Sequence, residues 1–172
     1  MKEAIMYTIP ALIVLAATWI VMHKLLKNEQ EKRLWELKKA SQKEISQVRL
    51  RAYERLAILL ERTEPEHILT NTDLSGMTIQ ELQKRLLQTV RLEFDHNMSQ
   101  QIYVSDELWD KIILARDEMG AFITAIALQM PQESTALDYA KTMITAYRNN
   151  GTTTHQMAIE ALKDEARRLL DN

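Results

Sequence analysis

The apolar positions of this chain follow two patterns, which meet near residue 24. Residues 4–22 form one run without a charged side chain, AIMYTIPALIVLAATWIVM. Beyond residue 24, apolar residues recur every three or four positions among charged ones, which is the spacing of helices that bury one face. Gly and Pro, the residues that interrupt helices, each occur only three times in 172 residues. The pattern therefore predicts an all-α protein.

The uncharged run predicts a transmembrane helix over residues 1–24. At 1.5 Å per residue it would extend roughly 28 Å, close to the thickness of a bilayer's hydrocarbon core. Tyr7 and Trp19 stand near its ends, where aromatic rings favour the headgroup level, and Pro10 is tolerated in a membrane helix. A cleaved signal peptide and a buried core helix are the two alternatives. Residues 19–22 offer no small-residue cleavage site, and a core helix usually shows a polar stripe.

A basic segment follows the uncharged run. It predicts on which side of the membrane the C-terminal part lies, and it predicts membrane lipids as a partner. Positive residues favour the cytoplasmic side, so we expect a single-pass protein of a bacterial inner membrane with its C-terminal part in the cytoplasm. Residues 25–44 are predicted as a basic juxtamembrane stalk helix. A solvated helix fits better than a coiled coil, because Ser41 and Glu44 occupy apolar positions of the heptad. The cations expected to face lipid headgroups are Lys24, Lys27, Lys32, Arg33, Lys38 and Lys39.

Residues 45–172 are predicted to form a compact cytoplasmic bundle, into which the transmembrane and stalk helices lead. Thr78 with Glu81 predicts a capping box, Ser105 predicts an N-cap, and the asparagines before Gly151 predict a helix end. Residues 67–77 have the composition of a connector, and residues 102–104 form a β-like run too brief for a sheet. About five helices are expected, over residues 45–63, 78–101, 105–129, 134–149 and 153–170.

The net charge of −2 conceals two regions of opposite sign. Residues 23–63 carry eleven Lys or Arg against six Asp or Glu, whereas residues 64–172 carry ten against seventeen. An acidic domain argues against a nucleic-acid partner, which usually requires a basic face. The chain has no cysteine, which fits a reducing compartment.

Two Glu-x-x-His motifs are the only pattern that suggests a metal. Glu64 with His67, and Glu93 with His96, have the spacing at which two side chains of one helix face reach the same ion. Pro65 lies inside the first motif, at a predicted helix end, and spoils its shared face. The glycines are too few for a phosphate-binding loop, and no nucleophile motif occurs. We therefore expect no enzyme activity and no cofactor, with a metal-binding helical-bundle enzyme using Glu93 and His96 as the alternative.

Tyr103 and Trp109 bracket a polar turn before the third bundle helix. Aromatic side chains beside a connector can serve as anchors for a partner. Packing at the start of a helix is the more ordinary role for such residues. We regard both residues as candidate partner-binding positions.

Two segments of the chain carry a family resemblance. LRAYERLAILLER (residues 50–62) and EFDHNMSQQIYVSDELWDKI (residues 93–112) resemble an uncharacterised family of small proteins from Bacteroidota. The resemblance covers most of the chain from the uncharged run onward. It implies an N-terminal membrane helix paired with a cytoplasmic helical domain, and it implies no activity and therefore no catalytic residue.

The sequence as a whole favours a membrane-anchored interaction or scaffold protein that presents a helical bundle to the cytoplasm. Its expected partners are membrane lipids, an unidentified protein and a second copy of the chain. A lipid-binding role through the basic stalk is the alternative to protein binding.

Overall fold

The chain folds almost entirely into helices. A computed structural model describes the backbone of residues 2–171 and the side chains of residues 15 and 18–171, and no strand occurs in that backbone. The chain divides into two compact units, Met1–Ser46 and Gln47–Asn172. In chain order the helices are α1 (Lys2–Arg62), α2 (Pro65–Thr70), α3 (Ile79–Asn97), a 3₁₀ helix (Met98–Tyr103), α4 (Asp106–Gln129), α5 (Ala136–Asn149) and α6 (Thr154–Leu170).

The predicted transmembrane helix is contradicted. Among the residues that the structure describes, no helix is both long and apolar enough to cross a membrane. The prediction of an anchor over residues 1–24 is therefore wrong, and so are the predicted single-pass inner-membrane location and cytoplasmic orientation that depended on it. The side chains of Tyr7 and Pro10 lie outside the described residues.

The unit Gln47–Asn172 is a helical bundle in which α4 is central. Helix α4 packs against α3, α5 and α6, while α2 packs against α5. Apolar side chains at helical spacing fill the interior. The hydroxyl of Tyr139 donates to the carbonyl oxygen of Ile123 at 2.7 Å, so this large buried polar group is satisfied. Buried representatives of α1, α3, α4, α5 and α6 are Leu56, Leu82, Ile112, Tyr139 and Leu162.

Side-chain caps begin helices α3, α4, α5 and α6. Thr78 Oγ1 accepts from the Glu81 backbone N–H at 3.2 Å, and the Glu81 carboxylate accepts from the Thr78 backbone N–H at 2.9 Å. This reciprocal box satisfies two N–H groups that the first helical turn leaves without a partner. Ser105 caps α4 in the simpler manner, with its hydroxyl accepting from the Leu108 N–H at 3.2 Å. Equivalent boxes begin α5, from Thr135 and Asp138, and α6, from Thr153 and Gln156.

Two connectors differ from the sequence prediction. The predicted connector at residues 67–77 begins inside α2, because Pro65 occupies the first turn, where its missing N–H removes no helical hydrogen bond. The β-like run at residues 102–104 lies largely in the 3₁₀ helix. The Asn97 side-chain amide donates to the Glu93 carbonyl at 2.9 Å, at the junction of α3 with that helix. Local turn chemistry, rather than apolar periodicity, decided both segments.

Candidate functional site

A hydrogen-bonded network centred on Glu165 joins four segments of the bundle: α1, the end of the 3₁₀ helix, the start of α4, and α6. Arg49 Nη2 lies 3.2 Å from Glu165 Oε1 and donates to the Tyr53 hydroxyl at 2.8 Å. The Tyr53 hydroxyl and the Ser105 backbone N–H each donate to Glu165 Oε1 at 3.0 Å. The Ser105 hydroxyl donates to Oε2, and Arg49 Nε donates to the Tyr103 carbonyl at 2.9 Å. The two carboxylate oxygens thus accept from three different side chains and one backbone N–H.

The electrostatics of this network favour an ionised Glu165. Burial acts to raise the pKa of Glu165, but hydrogen bonds from Ser105 and Tyr53 and the charge of Arg49 hold that pKa below its usual value. Burial, together with the hydrogen bond to Glu165, raises the pKa of Tyr53 to about 12. Because the carboxylate is charged and already bonded, the network is suited to holding segments together rather than to proton transfer.

The sequence analysis missed Arg49 and Glu165, although the pattern contains a signal for both. Arg49 lies four residues before Tyr53 and seven before Leu56, and Glu165 lies three after Leu162. Both charged residues therefore occupy positions on apolar helix stripes. A charge at such a position needs a partner of opposite charge when the stripe is buried. Here Arg49 and Glu165 are each other's partner.

The two predicted partner-binding aromatics lie beside this network. Tyr103 is partly buried, and its backbone carbonyl accepts from Arg49. Trp109 is partly buried and packs against the hydrophobic core. The neighbouring Ile102 is 71% exposed, so it contributes more accessible apolar surface to this turn than a core-packed Trp109. A binding role for either aromatic stays a prediction.

A second polar centre is fully buried and neutral. The Thr63 hydroxyl lies 2.9 Å from the Leu59 carbonyl and 3.0 Å from His155 Nε2, and both side chains are almost inaccessible. A hydroxyl has one proton, so when Thr63 donates to a carbonyl it accepts from the Nε2–H of a neutral His155. Burial lowers the pKa of His155 to about 4. The sequence analysis did not single out this histidine, although it lies three residues before Ala158 and seven before Leu162 on one helix face.

The alternative metal ligands are not brought together. Glu93 pairs with Arg62 at 3.7 Å, and His96 is exposed. Glu64 is partly buried, while His67 is exposed on the short helix α2. Over the described part of the chain, no group of three or more His, Cys, Asp or Glu side chains is placed to hold a metal ion.

The unit Met1–Ser46 has a different kind of surface. Four apolar residues of α1, Leu15, Trp19, Met22 and Leu26, are spaced four, three and four residues apart and therefore share one helix face. We call this set the α1 stripe. All four are more than half exposed. Among the side chains that the structure describes in this unit, the other large apolar ones that are more than half exposed are Ile20, Val21, Leu25, Leu34, Trp35, Leu37 and Ile45.

The predicted basic flank lies on the same segment of α1. Its side chains are exposed, from Lys24 to Lys39. Arg33 pairs with Glu29 at 3.4 Å, and Lys39 Nζ lies 5.0 Å from the ring centre of Trp35. Exposed ion pairs of this kind contribute little to stability, so the flank is a solvated surface.

Comparison with known proteins gives a family without a function. No curated protein and no solved structure matches the chain. A family model described as a family of unknown function, DUF7935, matches residues 1–169. This agrees with the resemblance to an uncharacterised family, but it confirms neither an origin in Bacteroidota nor a membrane helix. The chain belongs to the family of unknown function DUF7935.

Proposed function

We propose that this chain is a non-catalytic interaction protein that binds another protein through the α1 stripe. The observation that carries the proposal is the exposure of that stripe. Leu15 and Trp19 are 68% and 71% exposed, and Met22 and Leu26 are 56% and 58% exposed. Contiguous exposed apolar surface of this kind typically marks a binding site.

The stripe has the length and spacing of a helix-recognition surface. Its residues follow the pattern by which an amphipathic helix places anchors into an apolar groove. The stripe ends at Leu26, since the next positions on that face are Glu29 and Arg33, which pair with each other at 3.4 Å. Burying one large apolar side chain contributes about 2 kcal/mol, so four such side chains supply a substantial driving force for association.

The chemistry of the bundle supports binding over catalysis. Glu165 accepts hydrogen bonds at both carboxylate oxygens, and His155 is buried against Thr63. A general base must reach a substrate proton, and these two groups are instead engaged with other protein segments. Of the alternative metal ligands, Glu93 forms an ion pair with Arg62, and His96 is exposed to solvent.

The proposal is tested by cross-linking the full-length protein in cells of its source, followed by purification through a C-terminal tag and mass spectrometry. Wild type is expected to yield a recurrent protein partner. The double variant Trp19→Ala/Leu26→Ala should lose that partner, because it removes half of the stripe. The matched control Ile20→Ala/Leu34→Ala removes apolar side chains of similar exposure outside the stripe and should retain the partner. An identical set of cross-links from both variants would contradict the proposal.

A second candidate is binding of an anionic lipid surface through the basic flank. It is favoured by the exposure of Lys24, Lys27, Lys32, Lys38 and Lys39 on one segment of α1, since each such cation near an anionic surface contributes about 1 kcal/mol. Flotation of the full chain with anionic vesicles and with neutral vesicles distinguishes this role. Equal binding to both vesicle types would exclude it.

A further inference from the structure

We infer that a depression between α4, the end of α5 and the start of α6 binds a small organic cation of the quaternary ammonium class. The depression has a volume of about 230 Å³. Its walls include Glu118, Met119 and Phe122 of α4, Tyr147 of α5 and Met157 of α6, with polar residues of the α5–α6 connector between them. Pockets for drug-sized ligands are larger than this, so the space suits a small group such as trimethylammonium.

Two aromatic rings lie side by side in this depression. The ring centres of Phe122 and Tyr147 are 5.9 Å apart, and the ring planes are tilted by 60°. Both side chains are only partly buried, so part of each ring stays accessible. A cation within about 6 Å of a ring centre is attracted by the negative face of the ring, and two adjacent rings can act on one cation together. Met119 and Met157 add polarisable thioether groups, which pack well against methyl groups.

The charges around the depression favour a cation over a neutral ligand. None of the residues that line it is Lys or Arg, and one of them is the exposed Glu118. Burial raises the pKa of Tyr147, and the charges of the nearby Glu64 and Glu66 raise it further. Arg148 is the cation beside Tyr147 in the chain, and its charge is offset by an ion pair with Glu66. Glu64 and Glu118 therefore leave this site with a net negative charge.

The start of α6 does not turn the depression into an anion site. The start of a helix is partially positive and attracts anions, but here a capping box already satisfies it. The Thr153 N–H donates to Gln156 Oε1 at 3.2 Å, and Thr153 Oγ1 accepts from the Gln156 N–H at 3.3 Å. Asn150, which also lines the depression, follows the last turn of α5, the partially negative end of that helix. His155 at the border is neutral near pH 7, because burial lowers its pKa to about 4.

This site goes beyond the proposed function, because it takes a small ligand on the bundle rather than a protein on α1. It would stand even if the α1 stripe had no partner. Conversely, failure of the cation site would leave the proposal for the α1 stripe unaffected.

The test is a titration of the ¹⁵N-labelled full chain, followed through its backbone amide chemical shifts. Choline is the probe, and 3,3-dimethylbutan-1-ol is the control, since it has nearly the same shape without the charge. Choline is expected to shift the amides of residues 118–122 and 147–157 saturably, with a Kd on the order of millimolar for so small a ligand. The neutral control should bind at least about fivefold more weakly.

Substitutions separate the rings and the carboxylate from general effects. Phe122→Leu removes one ring but keeps an apolar side chain, and it should weaken choline binding by about fivefold. Glu118→Gln removes the exposed carboxylate and should weaken binding by about threefold. Tyr147→Phe retains the ring and should stay within about 1.5-fold of wild type. The matched charge control Glu160→Gln, at an exposed position of α6 outside the depression, should do the same.

A further probe distinguishes two sources of the quaternary ammonium group. Tighter binding of Nα-acetyl-trimethyllysine amide than of choline would indicate a methylated lysine side chain, and the reverse order would indicate a free small ligand. Three results would overturn the inference. They are equal binding of choline and 3,3-dimethylbutan-1-ol, saturable shifts at these residues with inorganic phosphate but not with choline, and equal weakening by Glu118→Gln and Glu160→Gln.

Discussion

The two units of this chain treat their apolar side chains in opposite ways. In the unit Gln47–Asn172, large apolar residues such as Leu56 and Ile112 are fully buried, and the polar groups among them are paired. In the unit Met1–Ser46, the α1 stripe is more than half exposed. Burial stabilises a fold, whereas exposed apolar surface stabilises nothing until a partner covers it. We expect the first set to determine stability, and our proposal assigns binding to the second.

The largest expected effect on the free energy of unfolding comes from a substitution in the buried core. Leu56→Ala removes a fully buried side chain of α1 and should lower the free energy of unfolding by about 3 kcal/mol, because the cavity adds to the lost transfer energy. Ile58→Ala, at a position 49% exposed on the same helix, is the control and should cost less than about 1 kcal/mol. Urea unfolding followed by circular dichroism measures both. Equal losses would show that this part of α1 is not packed as described.

The buried His155 predicts a pH dependence of stability. Its pKa falls from 6.5 to about 4 on folding, so the unfolded chain binds the extra proton first and stability decreases as pH falls from 6.5 toward 4. The full loss corresponds to about 3 kcal/mol. His155→Gln keeps a donor for Thr63 without the charge and should flatten this window, whereas the exposed control His96→Gln should not. An unchanged slope in His155→Gln would contradict a buried neutral histidine.

The Glu165 network predicts a smaller loss, which also appears as the pH falls but in a more acidic range. Glu165→Ala leaves Arg49, Tyr53 and Ser105 without their shared acceptor and should cost about 2 kcal/mol at neutral pH. Because the pKa of Glu165 is lowered on folding, its contribution is present above the usual carboxyl pKa and is lost as pH falls through the lowered value. The exposed neighbour in Asp164→Ala should cost less than about 0.5 kcal/mol. Thermal or urea unfolding showing the same cost for both would remove the network's structural role.

The smallest expected effect on the free energy of unfolding comes from substitutions in the exposed α1 stripe. Trp19→Ala/Leu26→Ala should change the free energy of unfolding of the bundle by no more than about 0.5 kcal/mol, because neither side chain is buried and Ala favours a helix. The same urea titration used for Leu56→Ala provides the comparison. A loss as large as that of Leu56→Ala would mean that the α1 stripe is part of the fold rather than a free surface.

Much of the helical content could be predicted from the sequence, because helix formation here is local. Helix α3 can be recognised from its own sequence. The capping box of Thr78 and Glu81 marks its start, and the apolar stripe that contains Leu82, Leu86 and Val90 marks its buried face. Helix α2 could not be predicted in the same way, since six residues are too few for a periodicity. Its start rests on Pro65 alone.

The polar centres could not be predicted, because each joins residues far apart in the chain. Arg49 and Glu165 are 116 positions apart, and Thr63 and His155 are 92 positions apart. One sequence shows that a charge interrupts a stripe, but the identity of its partner depends on how the helices pack. The transmembrane prediction failed for a different reason: it rested on one uncharged run, and no helix in the described residues has the required length and apolar character.

The central claim is that the α1 stripe is a protein-binding surface, and site-specific photo-cross-linking tests it most directly. A photoreactive phenylalanine replaces Trp19, or in parallel Lys27, which lies off the stripe on the same helix. The account predicts a discrete cross-linked product with another protein from position 19 and none from position 27. Equal products from both positions, or products from neither in cells that contain the wild-type partners, would contradict it.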